Sequence, residues 1–87
     1  MHVDLSNRVA VITGAAGGIG RGMALLFAKN AATVVVNDIQ GSGGMKVVDE
    51  IEAAGGKARF IHADVANQEQ VSWMMGEVVA EFGKIDI

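Results

Sequence analysis

Short apolar runs alternate along this chain with longer segments in which every third or fourth residue is apolar. The first run is apolar almost continuously after Arg8, which favours a strand that is buried on both faces of a parallel sheet, and the second run, residues 33–36, consists of β-branched residues. The longer segments have the spacing of amphipathic helices. The predicted strands occupy residues 8–12, 33–36 and 57–63, the predicted helices occupy residues 18–30, 44–54 and 68–82, and residues 85–87 begin a fourth strand.

Each predicted helix carries an apolar stripe that is expected to face the sheet. The stripes consist of Ile19, Met23, Leu26 and Phe27 in the first helix, of Met45, Val48 and Ile51 in the second, and of Val71, Met74, Met75, Val78, Val79 and Phe82 in the third. Trp73 lies off the third stripe, so an exposed position and a contact with a partner helix both remain open.

Residues that favour helix ends bound these segments. Asn30 is placed to end the first helix in a left-handed conformation, and Gly83 is placed to end the third. Asn67 is predicted to cap the start of the third helix, with Gln70 three residues later in the capping-box position. These signals support the helix boundaries drawn from the apolar pattern.

The strict alternation of strands and helices predicts parallel strands that are joined by right-handed crossovers. The fold class is therefore α/β, a Rossmann-type doubly wound parallel sheet with the order β-α-β-α-β-α-(β). In such folds the strands lie in the order 3-2-1-4, and ligands bind at the carboxyl ends of the strands, where the order reverses. Glycines within residues 41–44 are expected to form a loose connection. No repeat, proline or linker divides residues 1–87, which are predicted to form one unit.

The connection between the first strand and the first helix, residues 13–20, is rich in glycine. Glycine lets the backbone turn sharply and approach a ligand closely, and the following helix presents free N–H groups to an anion. The expected ligand is the pyrophosphate of a dinucleotide. Met23 stands where G-x-G-x-x-G requires glycine and where a P-loop requires lysine. The pattern that fits is T-G-x-x-x-G-x-G, formed by Thr13, Gly14, Gly18 and Gly20.

This pattern resembles the glycine motif of the short-chain dehydrogenase/reductase family. Three further matches extend the resemblance over the whole chain: Asp38 after the second strand, residues 64–65 after the third, and residues 82–87, which are similar to the family's approach to its fourth strand. The chain departs from the family at Gly17, where a serine or a basic residue is frequent. It departs again at Ala31, where a glycine usually ends the first helix.

Asp38 carries the prediction of the cofactor. A carboxylate that stands 18 residues after Gly20 can accept both ribose hydroxyls of the adenosine half. It would repel the additional phosphate of NADP, and the next residue, Ile39, is not basic, so NAD is favoured over NADP. The alternative is an Asx-turn that closes the strand. The resemblance also implies that Asp64 accepts the adenine amino group and that Val65 packs on the ring, although an aspartate is common at any strand end.

The predicted cofactor-binding residues are Gly14, Gly17, Gly18, Ile19, Gly20, Asp38, Ile39, Asp64 and Val65. None of the 87 residues is predicted to be catalytic, because family catalysis implies an Asn, a Ser and a Tyr-x-x-x-Lys pair beyond them, and this sequence contains no Tyr. We expect the N-terminal, dinucleotide-binding half of a longer oxidoreductase that transfers hydride between NAD(H) and an alcohol or ketone. A non-catalytic NAD-binding module or sensor is the alternative.

The resemblance also implies a homo-oligomer. The 87 residues alone are expected to show no dehydrogenase turnover, and to self-associate through the side of the first strand that lacks a full neighbour.

Composition argues against other classes of function. The net charge is −3 and lysine and arginine form no run, so neither a nucleic acid nor a membrane is expected as a partner. The chain has no cysteine and only two histidines, which argues against a metal site. His62 is interpreted as a packed or edge residue of the third strand, and Arg21 as a surface residue. No signal peptide or membrane-length apolar segment is apparent, so a cytoplasmic protein is expected.

Overall fold

The computed structural model describes residues 4–87. Strands and helices alternate in the predicted order and within a few residues of the predicted boundaries. The elements are β1 (Val9–Ile12), α1 (Gly18–Lys29), β2 (Thr33–Asp38), α2 (Gly41–Ala53), β3 (Lys57–His62) and α3 (Gln68–Phe82). The prediction of an α/β fold with a Rossmann-type β-α-β-α-β-α order is confirmed.

The strands form one parallel sheet in the order β1-β2-β3. Thr33 of β2 stands opposite Val9 of β1 and Lys57 of β3. On the other side of β1, the carbonyl of Val9 accepts from the N–H of Ile87 at 3.2 Å, and the N–H of Val11 donates to the carbonyl of Ile87 at 2.9 Å. In a parallel pair, a residue of one strand bonds through its N–H and its carbonyl to two residues of the other strand that are two positions apart, as Ile87 does with Val9 and Val11. Residue 87 therefore lies beside β1, where the fourth strand was predicted.

A side chain also attaches this C-terminal segment to β1. Oδ2 of Asp86 accepts from the N–H of Val9 at 2.8 Å, and Lys84 and Arg8 lie 3.1 and 3.5 Å from the same carboxylate. The hydrogen bonds from Val9 and Lys84 lower the pKa of Asp86 below its usual range. Because the N–H groups of both Val9 and Val11 have partners, the open side of β1 is shorter than the sequence indicated.

The sheet is covered on both faces. Alternate side chains of a strand point to opposite faces, so Val34 and Val36 of β2 lie under α1 and α2, whereas Val35 lies under α3. The buried residues of the α3 face are Val9, Val35, Ile61, Ala63, Met74 and Val78. Helices on both faces leave the carboxyl ends of the strands as an accessible edge, which is where a doubly wound sheet binds ligands.

Most of the apolar stripe predicted for α1 is exposed rather than buried against the sheet, so the predicted stripe is not the buried face of this helix. Ile19, Met23 and Leu26 are 85%, 42% and 56% exposed. Only Phe27 of the stripe packs on the core, together with Ala24 and Ala28. Ala24 is the buried residue of α1, whereas Ile19 and Met23 line a cavity beside Val11 and Ile87, on the side of β1 that carries the C-terminal segment. Periodicity detects a stripe of large apolar residues, but it does not show that alanines can form the contact face.

Most of the stripes predicted for α2 and α3 do face the sheet. Val48 and Ile51 of α2 and Met74 and Val78 of α3 are buried. Met45 and Val79 belong to the predicted stripes but are 47% and 49% exposed, and Trp73 is 53% exposed. The exposure of Trp73 agrees with both settings considered for it, since a contact with a partner helix also requires a side chain that is exposed on this chain.

The glycines before α2 do not form a loose connection, because α2 begins at Gly41. A Cβ atom at Gly44 would lie 2.1 Å from the ring of Phe60, and one at Gly43 would lie 3.0 Å from Cβ of Ala16. These glycines therefore provide space where α2 meets β3 and the glycine-rich turn. Close packing, rather than flexibility, explains their presence.

Two predicted helix ends differ from those observed. Asn67 caps α3 as expected, because its Oδ1 accepts from the N–H groups of the second and third helical residues at 3.0 and 3.2 Å. Gln70, however, does not bond back to the cap; its Oε1 accepts from the N–H of Asp64 at 2.7 Å. After α1, the left-handed residue is Ala31, with a φ of 76°, rather than Asn30, whose φ is −95°.

Candidate functional site

The glycine-rich turn leaves the carboxyl end of β1 and leads into α1. Gly14 and Gly18 have φ angles of 61° and 58°, which an L side chain rarely adopts. A Cβ atom at Gly20 would lie 2.3 Å from the carbonyl oxygen of Gly14. Gly20 therefore permits α1 to pack against the start of the turn, whereas Gly14 and Gly18 permit the turn itself.

The outer surface of the turn is open. A Cβ atom at Gly17 or Gly18 would meet nothing within 4 Å, and both glycines are exposed. No side chain caps the start of α1, and within residues 4–87 the N–H groups of Gly18, Ile19 and Gly20 make no hydrogen bond to the rest of the chain. Unpaired amides and the positive end of the helix dipole make this end of α1 suitable for an anion.

Asn37 is the residue of this edge that sequence reasoning missed. It is 1% exposed, and its side-chain amide donates to the carbonyls of Ile61 at 3.0 Å and Ala63 at 3.2 Å. Its own carbonyl accepts from the N–H of Ala15 at 2.9 Å. Asn37 thus connects the glycine-rich turn to the end of β3. A polar residue directly after four β-branched ones was the available signal, because a buried amide requires partners.

Asp38 follows Asn37 and lies beside the turn. Its Oδ2 accepts from the N–H of Ala16 at 3.0 Å, and its Oδ1 accepts from the N–H of Gln40 at 3.0 Å. The N–H groups of Gln40 and Ala16, in that order, lower the pKa of Asp38 below its usual range, while partial burial opposes them. The Asx-turn considered as the alternative is therefore present. Each carboxylate oxygen has a second lone pair, so the group can still accept a ribose hydroxyl.

The remaining predicted residues lie on the same edge of the sheet. Ile39 is 60% exposed and follows Asp38, while Val65 is 51% exposed and follows β3. Asp64 is exposed, and its Oδ1 accepts from the N–H of Ala66 at 2.9 Å, which forms a second Asx-turn. The turns after β1, β2 and β3 therefore all present predicted residues at the carboxyl edge of one parallel sheet.

The larger of two cavities does not lie at the carboxyl edge of the sheet, where the predicted residues are found. A cavity of about 770 Å³ lies at the amino end of the sheet, between the last residues of α1 and α2. A smaller cavity of about 290 Å³ borders the glycine-rich turn and is lined by Thr13, Gly20 and Ile87 among others. We assign the site to the carboxyl edge, because a parallel sheet binds ligands there and the open amides and Asp38 converge there.

Other polar groups make structural contacts. Arg21, in the first turn of α1, forms an ion pair with Glu50 of α2, as suits a surface residue. Within residues 4–87, no group of three or more His, Cys, Asp or Glu side chains is arranged to hold a metal ion.

Comparison with known proteins identifies the family of this fold. A family model described as short chain dehydrogenase matches residues 8–87. The chain belongs to the short-chain dehydrogenase family. The matched residues include the glycine-rich turn, Asp38 and Asp64, and the resemblance drawn from the sequence is confirmed.

Short-chain dehydrogenases from distant organisms are similar over the whole chain. Identities are 42% over 86 residues to tropinone reductase-like 2 of Erythroxylum coca, 39% over 86 residues to 7alpha-hydroxysteroid dehydrogenase of Escherichia coli K12, and 44% over 87 residues to cyclohexanol dehydrogenase of an Acinetobacter species. These alignments cover 99%, 99% and 100% of this chain but 30%, 34% and 35% of the relatives. The chain therefore spans about a third of the length of the curated relatives that it matches.

Solved structures of the family have the same fold. A hydroxysteroid dehydrogenase from Escherichia coli superposes with a TM-score of 0.94 at 38% identity, over 97% of this chain and 36% of that one. A 7 alpha-hydroxysteroid dehydrogenase complexed with NADH and 7-oxo glycochenodeoxycholic acid superposes with a TM-score of 0.93 at 36% identity, over 98% of this chain and 33% of that one.

The structure also bears on membrane association. Across residues 4–87, none of the helices combines the length and the apolar character that crossing a membrane would require.

Proposed function

We propose that residues 1–87 form the dinucleotide-binding part of an oxidoreductase that transfers hydride between NAD(H) and an alcohol or ketone. The observation that carries the proposal is the glycine-rich turn, whose open amides at the start of α1 lie next to the carboxylate of Asp38. Family membership supports the same class of reaction, as does the NADH complex of one structural relative. Hydride transfer is the chemistry that the bound nicotinamide would supply.

The residues at the carboxyl edge fit a dinucleotide. The N–H groups of Gly18, Ile19 and Gly20 would hold the pyrophosphate, because they have no partner within residues 4–87 and the space outside Gly18 is empty. Asp38 would accept the ribose hydroxyls through its second lone pairs. Asp64 and Val65, exposed after β3, would contact the adenine.

We further propose that NAD is preferred over NADP. The lowered pKa of Asp38 keeps its carboxylate charged at neutral pH, and a charge at the ribose site repels an added phosphate. Ile39 offers no positive charge to offset that repulsion. Titration calorimetry of the protein with NADH and with NADPH should therefore show tighter binding of NADH.

The Asp38→Ser variant tests the assignment of the ribose. Hydrogen bonds to a charged group contribute roughly 1.5–3 kcal/mol, so the variant should bind NADH about 10- to 100-fold more weakly and should discriminate less against NADPH. Asp49→Ser, which removes an exposed carboxylate from α2, is the matched control and should bind both cofactors as the unaltered protein does. An unchanged ratio of the two dissociation constants in Asp38→Ser would refute the assignment.

Two findings would separate the enzyme from a non-catalytic module. The enzyme requires a Tyr-x-x-x-Lys pair in the complete protein, and NADH oxidation with a ketone that depends on that pair. A complete protein that binds NADH but lacks the pair would instead be a binding module or a sensor.

A further inference from the structure

His62, the last residue of β3, makes a contact that the proposed binding role does not use. Its Nε2 lies 3.1 Å from the carbonyl oxygen of Ile39. A carbonyl oxygen only accepts, so Nε2 carries the hydrogen in this contact. In the register of the sheet, His62 stands opposite Asp38, the residue immediately before Ile39. The ring therefore bonds to the turn that carries the proposed ribose ligand.

That turn, residues 38–40, is held from two sides. On the side of α1, the N–H of Ala16 donates to Asp38 at 3.0 Å. Within the turn, the N–H of Gln40 donates to the other carboxylate oxygen at 3.0 Å. On the side of β3, His62 provides the side-chain contact to the Ile39 carbonyl. The two ends of the turn have backbone anchors as well, because Asp38 pairs with β3 in the sheet and the carbonyl of Gln40 accepts from the N–H of Gly44 at 3.0 Å. The His62 side chain holds the carbonyl of Ile39, which lies between those two anchors.

The side chain of Ile39 is 60% exposed, so its burial does little to fix the backbone of residue 39 in place. The N–H of Gln40 donates to the carboxylate of Asp38, so a rotation of the backbone between these two residues would also move the carboxylate. A carboxylate that is displaced from the ribose hydroxyls both loses those bonds and repels a 2′-phosphate less effectively.

We propose that His62 is a positioning residue for the ribose site and thereby strengthens the preference for NAD over NADP that the charge of Asp38 creates. The proposal rests on the assignment of Asp38 to the ribose. His62 acts through the Ile39 carbonyl, and no contact of His62 with the cofactor is required. The bond needs only an N–H donor at the position of Nε2, so glutamine, whose Nε2 has a similar reach, should replace the ring.

The test compares His62→Leu, which has no donor, with His62→Gln, which keeps one. We expect His62→Leu to bind NADH about 2- to 10-fold more weakly, the effect of one neutral hydrogen bond, and to show a smaller ratio of NADPH to NADH dissociation constants. His62→Gln should restore both values. Lys57→Leu, at the opposite end of β3 and exposed, is the control for an added apolar side chain on this strand and should leave both values unchanged.

Amide hydrogen exchange without cofactor provides a second measurement. The Gln40 N–H should exchange faster in His62→Leu than in the unaltered protein and in His62→Gln. An unchanged cofactor ratio in His62→Leu would overturn the proposal, even if the variant were less stable, because a purely structural residue would change stability alone. Failure of the unaltered protein to bind NADH would instead refute the proposed function, and with it the role of His62 in positioning Asp38.

Discussion

Gly20 allows a sharp test of how the turn is built, because a second glycine of the same helix serves as its control. Cβ of an alanine at residue 20 would lie 2.3 Å from the carbonyl oxygen of Gly14 and 3.1 Å from Cα of Ala15. Both are backbone atoms, so no flexible side chain can move aside. At Gly22 an added Cβ would meet nothing within 4 Å.

The difference in free energy of unfolding between Gly20→Ala and Gly22→Ala measures the cost of the steric clash at residue 20. Both substitutions replace glycine by alanine in α1, which favours the helix by up to about 1 kcal/mol. Gly22→Ala should therefore raise the free energy of unfolding by about 0.5–1 kcal/mol. In Gly20→Ala, α1 must retreat by about 0.7 Å to reach even the 3.0 Å limit, and such overpacking typically costs roughly 1–3 kcal/mol. We expect Gly20→Ala to be less stable than Gly22→Ala by about that amount.

The assay is urea unfolding of both variants, followed by calorimetric titration with NADH. Movement of α1 away from Gly14 also displaces the open amides, so Gly20→Ala should bind NADH at least about 10-fold more weakly, whereas Gly22→Ala should bind normally. Equal stabilities and equal affinities for the two variants would refute the reasoning, because they would show that close packing of Gly20 on Gly14 has no consequence.

Four further predictions follow from other contacts. The pKa of Asp38 is lowered in the folded chain, so the carboxylate stabilises the fold above the pKa of the unfolded chain, and this stabilisation is lost as the pH falls through the pKa of the folded chain. Between about pH 5 and 2, the free energy of unfolding should therefore fall less in Asp38→Asn than in the unaltered protein. Ala31→Gly should raise the free energy of unfolding by up to about 1 kcal/mol, because Ala31 has a φ of 76°, and no gain in urea unfolding would contradict this. Gly18→Val and Gly55→Val both place a branched side chain at a positive φ with open space around it, so both should be destabilised, but only Gly18→Val should abolish NADH binding in a titration. Light scattering of the isolated 87 residues at tens of micromolar should show self-association that Met23→Glu reduces, since Met23 is 42% exposed and lines the cavity beside Val11 and Ile87 on the open side of β1; a stable unaltered monomer would count against it.

The sequence determined the order of the elements and most of the candidate site. Alternating periodicity indicated β-α-β-α-β-α, because strand and helix periods differ and the chain alternates between them. The spacing of Gly14, Gly18 and Gly20 indicated the family, and Asp38 and Asp64 could be located by counting from it. Asn67 was recognised as a cap because that chemistry is local.

The tertiary structure decided which surfaces meet. Periodicity placed Ile19 and Leu26 against the sheet, but both are exposed, and Ala24 is buried there with Leu25 and Phe27 packed beside it. The glycines at the start of α2 were predicted to form a loose connection, but Gly44 leaves room for the ring of Phe60, a residue of β3 that is distant in sequence.

The polar contacts of the edge were also beyond the sequence. Asn37 and His62 bond to carbonyl groups 24 and 23 residues away, and those carbonyls are brought near only by parallel pairing of β2 and β3. A side chain's own type shows that it needs a partner, but only the register of the sheet determines which partner it finds.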